Sequence, residues 1–210
     1  KRVQNKFALQ NKAGLSVNQE IPLIGMAGRL VEQKGIDIAI KAIESLLAGT
    51  EIQFILQGTG HRGYHESLEE LQGLYPDRVR TYLTLDFLIG RSIFAGCDIF
   101  LMPSRFEPCG LSPLIASHYG AVPVVRNTGG MAQNIIDYDS DPQNGFGFVF
   151  QKYETGELLE ALHKALTTFE KKEEWPNLMV RAMKADFSWH KSVPKYEALY
   201  KTAINSTTGR

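Results

Sequence analysis

Six short runs of apolar residues punctuate the chain at 21–27, 52–56, 79–85, 98–102, 122–125 and 147–150, and each is continuous rather than alternating. A strand wetted on one face alternates apolar with polar positions, whereas a continuous run needs cover on both faces. The pattern therefore predicts a parallel sheet between two layers of helices. Helices are expected between the runs: Ile36, Ile40, Ile43 and Leu47 recur at helical spacing within 34–47, and 64–74, 88–95, 111–119 and 130–136 fit the same reading. Strict alternation of strand and helix predicts a doubly wound, Rossmann-like α/β domain of about six strands. After Phe150 the pattern turns helical only, at 155–169, 175–185 and 189–203. Thr155 followed by Glu157 and Leu158 predicts a capped helix start, and Leu158, Leu159, Leu162 and Leu166 predict a core stripe. A polar loop at 137–145 is the only such stretch, with no internal repeat or low-complexity linker.

In an open α/β sheet, ligands sit beyond the carboxyl ends of the strands, so the loops there hold the candidate chemistry. The loop after 21–27 carries Gly28, Arg29, Lys34 and Gly35 into a helix start. Two cations beside free amides and the positive end of a helix dipole suit an anion. The loop after 52–56 carries Gly58, Thr59 and Gly60, where glycines permit close approach of a ligand and equally serve an ordinary tight turn. The third loop, 103–111, sets Glu107, Pro108, Cys109 and Gly110 just before a helix expected near Leu111. A carboxylate there can accept hydrogen bonds from sugar hydroxyls, and the helix amides can donate to phosphate or sugar oxygens. The fourth, Thr128, Gly129 and Gly130, either adds amides or turns the chain.

Composition narrows the partners. Lysine plus arginine and aspartate plus glutamate number 23 each, so no net field attracts nucleic acid or an anionic membrane, and phosphate recognition must be local. With 210 residues, one large core is expected. Cys97, expected in a strand, and Cys109, in a turn, have neither metal-site nor disulfide spacing, which fits a reducing compartment. The apolar runs are far short of a membrane span, Lys1 opens no signal peptide, and the lack of an initiator methionine is expected of an excised fragment.

Taken together, the strings GRLVEQKGID at 28–37, PSRFEPCGL at 103–111, NTGG at 127–130, NGFGF at 144–148 and DFSW at 186–189 resemble the C-terminal domain of bacterial glycogen synthases and plant starch synthases. The likeness runs from the KFALQNKAGL start at Lys6 through Tyr200. It implies one half of a GT-B glycosyltransferase: residues 1–210 as the nucleotide-sugar-binding domain, with the N-terminal acceptor domain outside this chain. That other domain is implied to supply a KxGGL donor loop and a histidine near the sugar.

The resemblance further implies transfer of glucose from ADP-glucose, with UDP-glucose kept open, to the non-reducing end of an α-1,4-glucan. Configuration is retained through a front-side, ion-pair-like path in which Glu107 is not a covalent nucleophile. Arg29 and Lys34 are implied to hold the donor diphosphate, Glu107 the glucose hydroxyls, and the amides of Cys109, Gly110, Leu111 and Ser112 the sugar and distal phosphate. Gly28, Gly58, Thr59, Leu85, Thr128 and Gly129 complete the implied donor site, with no metal, no other cofactor, no nucleic acid and no membrane. The setting would be cytoplasmic in a bacterium and the plastid stroma in a plant or alga. The isolated domain is expected to fold without activity, and the helix from DFSW to Tyr200 to pack across the other domain.

This chain departs from the family where Leu85 replaces a tyrosine at the expected base pocket, where Gly90, Arg91 and Ser92 replace Ala-His-Arg, and where Ser112 and Pro113 replace Thr-Gln. Nucleotide preference is thereby left open. The alternative reading is a non-catalytic or weakly active homologue that binds glucan or partners in granule initiation; a sucrose or glycosyl-lipid transferase is disfavoured by PCGL and DFSW.

Overall fold

A computed structural model of the chain describes residues 2–208. Its element order is α1 (Arg2–Lys12), β1 (Leu23–Ala27), a 3-10 turn (Glu32–Lys34), α2 (Ile36–Gly49), β2 (Gln53–Gln57), α3 (Arg62–Leu74), β3 (Val79–Tyr82) and α4 (Phe87–Gly96). There follow β4 (Ile99–Met102), α5 (Leu111–His118), β5 (Val122–Arg126), α6 (Met131–Asn134), β6 (Phe148–Phe150), α7 (Thr155–Phe169), α8 (Glu174–Lys184) and α9 (Trp189–Thr208). All six expected strands pair in parallel, in the order β3-β2-β1-β4-β5-β6. This is the doubly wound arrangement, and its order reverses between β1 and β4.

The continuous apolar runs have the cause inferred for them. Ile24, Met26, Phe54, Leu56, Ile99 and Leu101 point to one helical layer with Ile43, Leu46 and Leu162, while Leu23, Ile55, Phe100 and Met102 point to the other with Leu9, Ile93 and Ala116. The edge strands are less enclosed: β3 buries only Val79 fully, and Val149 in β6 is partly exposed.

Several details differ from expectation. Residues 83–85 leave the sheet, and Leu85 is 68% exposed, because a turn must carry the chain from β3 into α4. Cys97 is not in a strand but ends α4, with its N–H donated to the Ile93 carbonyl. The helix expected from Lys34 starts at Ile36, after Gly35 breaks the 3-10 turn with a left-handed φ of 71°. The cap expected at Thr155 is not formed: Glu154 holds the N-cap position without a side-chain bond, and Thr155 is already helical. Helix α1 was unread because its buried face is polar, with Lys6 and Gln10 beside Leu9.

That polar face rests on Asp98, at the amino end of β4. Lys6 Nζ lies 2.6 Å from Asp98 Oδ2 and also donates to the carbonyls of Gln19 and Ile21 at 2.8 and 2.7 Å. Asp98 Oδ2 in turn accepts from the Leu23 N–H at 2.9 Å. Burial pushes the Asp98 carboxyl above and the Lys6 ammonium below their ordinary values, and their mutual attraction opposes both shifts. Removing Asp98 strands the Lys6 ammonium in the interior, and removing Lys6 leaves the Asp98 carboxylate, among the described residues, only the more distant cation Arg2, at 3.9 Å. Lys6→Met is expected to lower unfolding free energy by about 3–5 kcal/mol, and the double variant Lys6→Met/Asp98→Asn by clearly less than the sum of the two single changes. Urea titrations of the four proteins check this; additive losses would show the pair to be uncoupled.

Candidate active site

The sequence-predicted site residues fall in the segments that follow the carboxyl ends of β1, β2, β3, β4 and β5, on one edge of the sheet. Gly28 and Arg29 follow β1 and Lys34 closes the 3-10 turn. Gly58 and Thr59 follow β2, and Leu85 precedes α4. Glu107, Cys109 and Gly110 lead into α5, whose first turn holds Leu111 and Ser112, and Thr128 and Gly129 follow β5.

The loops after β1 and β2 continue side by side beyond the strands. Gly28 N donates to Gln57 O at 3.0 Å, Leu30 N to Thr59 O at 2.9 Å, and His61 N to Leu30 O at 2.8 Å. A Cβ on Gly58 would stand 2.0 Å from the Gly28 carbonyl oxygen. The absent side chain at Gly58 thus lets the two loops pack backbone against backbone. The Thr59 hydroxyl lies 3.4 Å from His65 Nε2.

Across the reversal point the β1 and β4 loops are joined by side chains. Lys34 Nζ is 2.5 Å from Glu107 Oε2, and Ser104 Oγ donates to the same oxygen at 3.2 Å. Arg29 Nη2 donates to Gln33 Oε1 at 3.2 Å, Gln33 Nε2 to Phe106 O at 3.3 Å, and Arg105 N to Gln33 O at 2.9 Å. Arg29 and Lys34 are therefore both tied to the Glu107 loop, one through Gln33 and one directly. Glu107 is only 8% exposed, so its pairing with a cation offsets the desolvation of the carboxylate.

The 127–130 loop buttresses this arrangement rather than offering all its amides. Gly130 N donates to the Glu107 and Pro108 carbonyls, both at 3.2 Å, and Gly129, at φ 48°, would place a Cβ 2.0 Å from the Glu107 carbonyl oxygen. Arg126, which the sequence reading passed over, donates to the carbonyls of Ser104, Arg105 and Gln151 and so fixes the start of the same loop. Ser104 was missed too; both sit inside or beside the quoted strings, but their bonds depend on long-range geometry.

Two cavities flank these loops. Gly28, Leu85 and Ser112 line one of about 340 Å³ with Gln57, Phe87 and Arg91, three residues the sequence reading did not select. Cys109 and Leu111 instead line a separate groove of about 600 Å³ against the α8–α9 connection. Helix α5 starts at Gly110 with no side-chain cap, leaving the N–H groups of Leu111 and Ser112 as first-turn donors. Pro113 lacks a donor that would have been unpaired there. Among the described residues, no cluster of three or more His, Cys, Asp or Glu is placed to hold a metal ion, and no helix is long and apolar enough to cross a membrane.

A doubly wound sheet with cations, a carboxylate and first-turn helix amides gathered at its reversal point defines an α/β domain of the Rossmann type. The model for "Glycosyl transferases group 1" matches residues 9–177, and the chain belongs to that family. It is 44% identical over 204 residues to a glycogen synthase of Trichodesmium erythraeum, covering 97% of this chain and 44% of that protein. It is 42% identical to glycogen synthase 1 of Synechocystis sp., covering 97% of this chain and 43% of that protein. Among solved structures it superposes on the catalytic domain of starch synthase IV from Arabidopsis thaliana bound to ADP and acarbose, with a TM-score of 0.87 and 35% identity over 97% of this chain and 43% of that one. The fold is accordingly that of one GT-B half, and the chain spans less than half the length of the curated relatives it matches.

The Gly129 geometry has a measurable consequence. Gly129→Ala combines a left-handed backbone with a clash against the Glu107 carbonyl, and is expected to destabilise the domain by about 1–3 kcal/mol. Chemical denaturation checks it, and an unchanged midpoint would mean that the Glu107 loop can shift freely.

Proposed function

We propose that this domain holds the sugar-nucleotide donor of a glycogen or starch synthase, which transfers glucose from ADP-glucose to the non-reducing end of an α-1,4-glucan with retention. The observation that carries the proposal is the joining of Arg29, Lys34 and Glu107 at the reversal point, next to the open first turn of α5. The likeness to glycogen synthases, and the ADP and acarbose bound to the starch synthase IV structure, support the same reading.

Hydrogen-bond capacity shows how the groups would work. An ammonium has three donors, and Lys34 directs one to Glu107, leaving two for phosphate oxygens. A guanidinium has five, and Arg29 directs one to Gln33. Positive charge at that place stabilises the diphosphate as the bond to the anomeric carbon breaks and negative charge accumulates on the leaving oxygen. Glu107 Oε2 is occupied by Lys34 and Ser104, so Oε1 is the acceptor free to orient glucose hydroxyls. A carboxylate so neutralised is a poor nucleophile, which agrees with a front-side path. The other GT-B half would complete the cleft, so the isolated domain would bind nucleotide weakly and transfer nothing.

In the full-length polypeptide, Arg29→Ala and Lys34→Ala are each expected to cut kcat/KM for glucan elongation by about 10²-fold to 10³-fold, the range typical for loss of one charge-stabilising donor. Incorporation of labelled glucose from ADP-glucose into glucan is the assay. Near-normal turnover by both variants would remove the assigned roles, and absence of transfer from every sugar nucleotide by the unaltered protein would favour the non-catalytic reading.

A further inference from the structure

The cavity bounded by Gly28 and Leu85 contains one side chain whose chemistry is unusually constrained. Gln57 ends β2 after a run of apolar residues, is 6% exposed, and still lines the cavity. Its Nε2 donates to the Thr84 carbonyl. A carbonyl can only accept, so the amide nitrogen must face Thr84 and the amide oxygen must face the other way. That oxygen lies over Gly90, where an added Cβ would stand 3.4 Å from it, and among the described residues no donor reaches it. A nearly buried residue thus presents a fixed acceptor to a cavity, and such an acceptor is satisfied by whatever enters.

The lining of the cavity includes an exposed aromatic ring. Phe87, the first residue of α4, is 78% exposed, and Leu85 before it is 68% exposed. Arg91, one helical turn after Phe87, holds its guanidinium 5.7 Å from the Phe87 ring centroid. Asp86 also lines the cavity; its Oδ1 caps α4 by accepting from Leu88 N and Ile89 N, whereas Gln57 is the nearly buried acceptor on this wall. Gly28 and Ser112, on the opposite wall, join the cavity to the loops assigned to the phosphates.

We propose that Gln57 selects the base of the bound nucleotide: its side-chain oxygen, held by the Thr84 carbonyl, accepts from the exocyclic amino group of an adenine stacked on Phe87. A base with a carbonyl at that edge is turned away. The inference rests on the donor reading above and deepens it by naming the residue that would set nucleotide preference, in a chain whose Leu85 supplies no aromatic ring there. A carbonyl at the amino position would leave two acceptors facing one another without a proton. Sites built around one such hydrogen bond discriminate strongly against the analogue that lacks it.

The test is calorimetry on the full-length protein with ADP, IDP and UDP, where IDP differs from ADP by a carbonyl in place of the amino group. The unaltered protein is expected to bind ADP about tenfold to a hundredfold more tightly than IDP. In Gln57→Leu that ratio is expected to fall to within about threefold, chiefly through loss of ADP affinity. Phe87→Ala is expected to weaken both ligands about tenfold and leave the ratio in place. ADP and IDP binding equally to the unaltered protein, UDP binding more tightly than ADP, or an ADP/IDP ratio that survives in Gln57→Leu would each overturn the role of Gln57 while leaving the donor reading intact. Failure of all three nucleotides to bind would overturn both. The comparison on the unaltered protein needs no variant, so a folding defect in Gln57→Leu cannot mask the outcome.

Discussion

The contact between Lys34 and Glu107 fixes the relation of the two loops on which the site is built. Strands β1 and β4 are neighbours, but their loops diverge into helices on opposite sides of the sheet, and nothing in the backbone ladder prevents them from spreading apart. A half-buried ammonium and a buried carboxylate at 2.5 Å hold them together, with Ser104 on the same oxygen and Gln33 forming a second link to Phe106. Each charge needs the other because the interior would not tolerate it alone. The arrangement therefore holds the loops in register while leaving both groups with unused hydrogen-bonding capacity.

Around that contact, backbone packing does what side chains cannot. Gly58 against the Gly28 carbonyl and Gly129 against the Glu107 carbonyl bring main chain within distances that any side chain would forbid. The loops after β1 and β2 are sewn by amide hydrogen bonds, and the loop after β5 is sewn to the loop after β4. A rim built in this way is rigid before any ligand arrives, which is what preorganised charge stabilisation needs.

The sheet was legible because burial on both faces writes itself as apolar runs, most plainly in β1, β2, β4 and β5, whereas the run at 79–85 is interrupted by Arg80, Thr81 and Thr84 and forms the less enclosed edge strand β3. Helix α1 was not legible, because its inward face uses Lys6 and Gln10, whose partners Asp98 and Gln53 lie far along the chain. The loops of the site were legible as strings rich in glycine and charge. What could not be read was which atoms within them are committed: the 128–130 loop could either add amides or turn the chain, and Gly130 donates to the Glu107 and Pro108 carbonyls. Gln57 could not be singled out, since the carbonyl that orients it belongs to Thr84, 27 residues away.

The arginines show why residue type alone could not separate scaffold from site. Arg78 donates to the carbonyls of Leu47 and Thr50, Arg80 to Ala13, Arg126 to three loop carbonyls and Arg181 to Gly145; each closes a helix or turn whose acceptors would otherwise be unmet. Arg105 is held between Glu32 and the Tyr153 ring. Arg29 and Arg91 differ: one is exposed with a single 3.2 Å bond to Gln33, the other lies against an exposed phenyl ring, and both stand on the rim of the reversal point. In the sequence all of these are interchangeable cations. Counting which guanidinium protons are already spent on backbone sets Arg78, Arg80, Arg126 and Arg181 apart from Arg29 and Arg91, and it does so from contacts that no single position of the sequence contains.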